Sequence, residues 1–174
     1  SLDEEYDITL EATHHGPLLD CPTLYLEIGS DEGRWADSRA GHVWAQTISS
    51  CLGMSKNSRQ RKWLGEGDVM VGLGGGHYAP RHKAIISETN VWVGHILANY
   101  AIVFEGRGES SPPPGPWEHS VRVAVESTRA AFPGGRVFAH LDRKSFKGWQ
   151  RQALYSLLTE LDVPVRRGKE ISLP

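Results

Sequence analysis

The sequence has only two cysteines, Cys21 and Cys51, in unrelated contexts and without a CxxC pair. A disulfide framework and a cysteine-type zinc site therefore find little support, and both residues are expected to be reduced structural thiols. No apolar run approaches the roughly 20 residues that span a bilayer, and no charged-then-apolar leader opens the chain. The expectation is a soluble, cytoplasmic protein with no membrane partner. An excess of one charge is also missing. A formal net charge of -2 argues against a nonspecific nucleic-acid coat, whose surface would be basic throughout. There is no internal repeat, and neither the GxxxxGK[ST] order of a nucleotide P-loop nor the spacing of a dinucleotide fingerprint, which disfavours nucleotide hydrolysis.

What is present is an ordinary globular composition, 39% hydrophobic and 23% charged in 174 residues. That length fits one domain, residues 1–174, with a core large enough to fold unaided. The small net charge hides a gradient: residues 1–37 hold ten acidic side chains against one arginine, while residues 122–174 hold ten basic against five acidic. A local basic rim that grips a few phosphates remains open. Its candidates are Lys56, Arg59, Arg61 and Lys62, then Arg143, Lys144, Lys147 and Arg151, then Arg166, Arg167 and Lys169; a solvated helix face is the competing reading of each cluster.

Periodicity divides the chain into alternating strands and helices. Tyr6, Ile8, Leu10 and Ala12 alternate with polar residues, as do Leu24, Leu26 and Ile28, which predicts two half-buried strands. Helical spacing over 40–52 predicts a helix capped by Asp37 or Ser38. Asp68–Leu73 reads as a strand running into Gly74, Gly75 and Gly76, and Ala101–Phe104 suits a short strand. The stretch 106–116, GRGESSPPPGP, should be an exposed loop. Trp117 to Phe132 predicts a helix, Val137–His140 a strand, and Ser145 the cap of a last amphipathic helix before a short strand at Val163–Val165. This alternation predicts an α/β fold, a mixed sheet with helices packed on it.

Two segments carry more chemistry than their neighbours. In EATHHGP, Gly16 and Pro17 turn the chain and leave His14 and His15 near a mouth of the sheet, where imidazole serves as general base or metal ligand. In GGGHYAPR, glycines with free access to positive φ present successive N–H groups to an anion, and His77, Tyr78 and Arg81 reach the same edge. Glu27, on the strand after the double histidine, could reach that mouth or be a surface carboxylate. His42, His82, His95, His119 and His140 lack such company and are read as structural or solvent-exposed.

EATHHGP, LYLEIGSDEGRW, GGGHYAPRHK and HLDRKSF, in this order, resemble the D-aminoacyl-tRNA deacylases of the archaeal and plant type from about Tyr6 to Val165. The resemblance implies hydrolysis of the ester joining a D-amino acid to tRNA, a zinc cofactor, and a mixed α/β fold like that of peptidyl-tRNA hydrolase and the phosphorylases. It implies catalysis by His14, His15, His77 and Glu27, with zinc on the three histidines. The amides of Gly74, Gly75, Gly76 and His77 would supply oxyanion donors. Arg81, Arg143 and Lys144 would meet acceptor-end phosphates, and Tyr78 would stack on the terminal adenine. The expected partner is the acceptor end of tRNA carrying a D-amino acid, bound by a monomer. The family's additional N-terminal segment has no counterpart in this sequence, so a fragment or shortened homologue is expected, and 106–116 reads as a lineage-specific insertion. A metal-assisted hydrolase of small D-amino-acid esters or peptides, and an inactive RNA-binding homologue, are the alternatives.

Overall fold

A computed structural model describes residues 5–12, 25–29, 31–54 and 62–171. The chain divides into two compact units, Ser1–Ile8 with Leu18–Leu64 and Thr9–Pro17 with Gly65–Pro174. In the first, helix α1 (Ser38–Cys51) starts where Asp37 accepts the Arg39 N–H, the cap expected from sequence. Glu5 pairs with Arg34 and Arg39, and the Tyr6 hydroxyl donates to Asp37. Cys51 is a free, exposed thiol.

The second unit is built on three parallel strands, β1 (Asp68–Leu73), β2 (Trp92–Leu97) and β3 (Arg136–Leu141), in the order β2-β1-β3. Helix α2 (Pro80–Glu88) joins β1 to β2, α3 (Trp117–Ala131) joins β2 to β3, and α4 (Gly148–Glu160) follows β3. The central strand β1 carries the run Val-Met-Val, fully buried as a parallel strand covered on both faces must be. Met70, Ile85, Phe138 and Ile171 form one core cluster, and Ala12, Ala79, Ile96 and Ala98 another. Helix α3 buries Trp117, Val121, Ala124, Val125 and Thr128, the stripe its spacing predicts. It sits close to β2 because Gly94 has no side chain: a Cβ there would overlap Thr128.

The α/β class holds, with differences in detail. The described sheet is wholly parallel rather than mixed. The expected strand over 6–12 joins no ladder, and the same is true of 25–29; alternation without a partner strand is not enough to make a strand. Ala101–Phe104 is not a strand either: β2 lies earlier, and Asn99–Ala101 is a 3-10 turn. Strand β2 falls in the apolar stretch Val91–Phe104, which reads as buried but has no assignable period, because a strand in a parallel sheet lacks the two-residue alternation. Ser145 does not cap α4, whose N-cap is Lys147. The terminal strand reduces to one parallel bridge, Ala139 to Val165. The proline-rich stretch is largely exposed, but Pro113 is buried and its carbonyl accepts the Trp117 indole N–H at 2.9 Å. No helix among the described residues is long and apolar enough to cross a membrane.

Candidate active site

In an open parallel sheet the carboxyl ends of the strands are where ligands bind, and the chemistry-bearing residues of the second unit gather there. At the end of β1, Gly74 and Gly75 take φ of 89° and 86°. A Cβ on Gly74 would lie 2.6 Å from the Phe146 ring and 3.0 Å from Ser145 Cβ, so only glycine lets the turn after β3 close against the turn after β1. Backbone bonds then tie all three strand ends together. Gly74 N–H donates to Leu97 O at 2.8 Å, Asn99 N–H to Gly75 O at 2.9 Å, and Asp142 N–H to Leu73 O at 2.8 Å.

This arrangement alters the role expected of the glycines. The Gly75 N–H donates to Ser145 Oγ at 2.7 Å, so the amides of Gly74 and Gly75 are both spent inside the protein and do not form an oxyanion hole. Gly76 is exposed on the same turn.

His77 leaves that turn half-buried, its Nε2 2.9 Å from Glu11 Oε1. Ala12 N–H donates to His77 O at 2.9 Å, which holds the segment leading into the double histidine against the turn. A carboxylate accepts only, so Nε2 carries the proton and the basic lone pair lies on Nδ1. Glu11 was missed as a partner although EATHHGP contains it: nothing local in that segment says which residue it meets 66 positions later. The Tyr78 ring packs edge-on to His77 with centroids 4.7 Å apart and is exposed.

Arg81, in the first turn of α2, places Nε 3.2 Å from Asp142 Oδ1. The same oxygen accepts the Lys144 N–H, capping the 3-10 turn Arg143–Ser145. Arg143 and Lys144 stand exposed on that turn. Arg151 Nη1 closes it from α4, donating to Arg143 O at 3.2 Å and Phe146 O at 2.7 Å.

Beneath the turn lie two histidines that sequence reading set aside. The His82 ring fills the space over Gly72, where a Cβ would come within 2.7 Å of it, and meets His140 edge-on at 5.1 Å. Burial holds His82 below the usual imidazole range, against a smaller pull from its bond to His140 O and from Asp142. Burial, with the charge of His82, pushes His140 down to about 4. Both rings are thus neutral near pH 7, and Nδ1 of each has no hydrogen-bond partner among the described residues. A histidine seated in the space left by a glycine of a strand leaves no periodic signal in sequence.

Of the remaining expected residues, Glu27 belongs to the first unit and is exposed there. His14 and His15 lie outside the described residues, as do Lys56, Arg59 and Arg61. Among the described residues no three His, Cys, Asp or Glu converge on one point. The fit of zinc to His77 therefore turns on His14 and His15. Ala79, buried with φ of 38° before Pro80, stores strain on the order of 1 kcal/mol where α2 leaves the site.

The family model described as D-aminoacyl-tRNA deacylase matches residues 1–166. A D-aminoacyl-tRNA deacylase of Arabidopsis thaliana is 42% identical over 177 residues, covering 97% of this chain and 56% of its own. One from Methanosarcina barkeri is 38% identical, covering 96% of this chain and 46% of its own. The crystal structure of a conserved protein of unknown function is similar with a TM-score of 0.69 at 27% identity, over 98% of this chain and 52% of that one. The chain thus spans about half the length of the curated relatives it matches. With the family model covering nearly its whole length, the chain belongs to the D-aminoacyl-tRNA deacylase family.

Proposed function

We propose that this chain hydrolyses the ester bond of D-aminoacyl-tRNA, releasing free D-amino acid and tRNA. The observation that carries the reading is the Glu11–His77 hydrogen bond at the carboxyl edge of the sheet, beside the cations of Arg81, Arg143 and Lys144. An aminoacyl ester has a good leaving group, so the enzyme needs chiefly an activated water and stabilisation of the tetrahedral oxyanion. His77, oriented by Glu11, takes the proton of the attacking water and returns it to the departing ribose oxygen. Arg81, Arg143 and Lys144 meet the phosphates of the acceptor end as point charges, and Tyr78 offers an exposed ring for the terminal adenine. One RNA end needs few contacts, in keeping with the small net charge. His14 and His15 belong to this reading as further imidazoles, and a zinc ion on His14, His15 and His77 would take the remaining lone pair of His77 and supply a lowered pKa for bound water in place of its role as base. The reading is of a cytoplasmic monomer.

The test is incubation of the purified chain with D- and L-tyrosyl-tRNA, with a small D-tyrosine ester as comparator and zinc measured by elemental analysis. The expected result is loss of the D-ester on tRNA and retention of the L-ester; stoichiometric zinc that a chelator removes along with activity would assign His77 to the metal instead of to the proton. Equal rates on both enantiomers, no turnover of either, or preference for the small ester overturns the substrate assignment. Full activity in metal-free protein leaves the histidines as acid and base groups alone. Lys144→Ala should weaken tRNA binding and reduce its salt slope by about one unit.

A further inference from the structure

We infer that Ser145 is a catalytic residue, whose hydroxyl donates to the ester carbonyl oxygen as that oxygen becomes an oxyanion. The inference rests on the deacylase reading above and supplies a donor that the amides of Gly74 and Gly75 do not. Gly74 N–H is committed to Leu97 O and Gly75 N–H to Ser145 Oγ. Because Oγ accepts that 2.7 Å bond, one of its lone pairs is fixed and its single O–H must point away from Gly75. No acceptor for this proton lies among the described residues.

The hydroxyl is also held in place before substrate arrives, which is what a transition-state donor requires. Ser145 N–H donates to Asp142 O at 3.0 Å, Asp142 Oδ1 accepts the Lys144 N–H, and Arg81 pairs with the same carboxylate. Behind it, buried Phe146 packs on the bare Cα of Gly74, so a side chain at Gly74 would expel both residues. Ser145 itself is only partly buried and sits on the strand-end rim that also carries His77. A lone serine after a strand is an ordinary turn residue. Here the amide of the central strand's turn is spent on orienting it.

The chemistry balances without a co-reactant. The water oxygen bonds to the carbonyl carbon and loses a proton to His77, while the carbonyl π pair moves onto the oxygen held by Ser145. That pair then returns, the ester C–O bond breaks, and the ribose oxygen leaves with the proton from His77. Ser145 forms no covalent bond.

Single-turnover hydrolysis of D-tyrosyl-tRNA by wild type, Ser145→Ala and Ser145→Cys tests this, with tRNA affinity and thermal midpoint measured on each. Loss of one such donor should lower kcat of Ser145→Ala about 100-fold, with KM and tRNA affinity within about twofold. Ser145→Cys keeps the size of the side chain and exchanges a strong donor for a weak one, so it should fall at least about tenfold at an unchanged midpoint; it decides the matter if the alanine variant folds poorly. Either well-folded variant within about fivefold of wild type overturns the inference, as does a loss expressed in KM and tRNA affinity rather than kcat. A wild-type chain that hydrolyses no D-tyrosyl-tRNA overturns the deacylase reading and this inference together, whereas an active wild type with indifferent variants overturns this inference alone.

Discussion

Glu11 and Gly72 show how much a single side chain, or its absence, decides. Glu11→Gln retains a hydrogen-bond acceptor for His77 but removes the charge that stabilises an imidazolium and selects its tautomer. Deacylation should therefore slow by about 10–100-fold, with tRNA affinity unchanged when measured by equilibrium binding. At Gly72 the issue is space. A methyl group there would press on the His82 ring at 2.7 Å, so Gly72→Ala should cost about 1–3 kcal/mol in denaturant unfolding. Removing the ring should relieve that cost, and in a double-mutant cycle Gly72→Ala should be milder in a His82→Ala background. Additive effects would mean that the ring moves aside freely.

At the level of elements, the helices that sequence reading found were those with a wide apolar stripe. α3 exposes its pattern plainly and Asp37 marks the start of α1, so both were legible locally. α2 was not. It has nine residues, opens with Pro80, and buries His82 and Ile85 where a pattern search expects only apolar residues. Strand β1 was legible because a Val-Met-Val run leading into glycines has few other outcomes. The seat of α3 on β2 depends on a residue with no pattern at all, Gly94. Gly94→Ala would drive a methyl group into Thr128 and push the helix off the strand. A loss of at least about 2 kcal/mol is expected, seen as a lower urea midpoint with unchanged slope.

For the molecule as a whole, the buried histidine pair sets the response to acid. His82 and His140 face each other, with Asp142 and Arg81 beside them. Their folded pKa values lie below the unfolded value of 6.5, so the unfolded chain binds more protons as pH falls. The stability they contribute is complete above about pH 6.5 and is lost progressively toward about pH 4. The Asp68 carboxylate, raised by burial but held below its usual range by Arg166 and Arg136, titrates under that window. A thermal midpoint that falls between pH 6.5 and pH 4.5, and falls less steeply in His140→Gln, is expected from calorimetry across that range. A flat midpoint would show that both rings take up protons freely in the folded state.

The sequence by itself determined what short-range physics can encode: an α/β alternation, the strand Asp68–Leu73, the glycine turn that ends it, and His77 on that turn. Its four motifs in order also determined the family. Only the tertiary structure decided which residues meet. Glu11 with His77, Gly75 with Ser145, and His82 with His140 are 66, 70 and 58 positions apart. A two- or 3.6-residue period fixes which face a side chain occupies, not the distant strand end against which that face closes. The glycines were visible as a turn. That the amides of Gly74 and Gly75 would bind the protein itself, and leave the outward donor to a serine after β3, followed from parallel strands bringing two loops to the same edge.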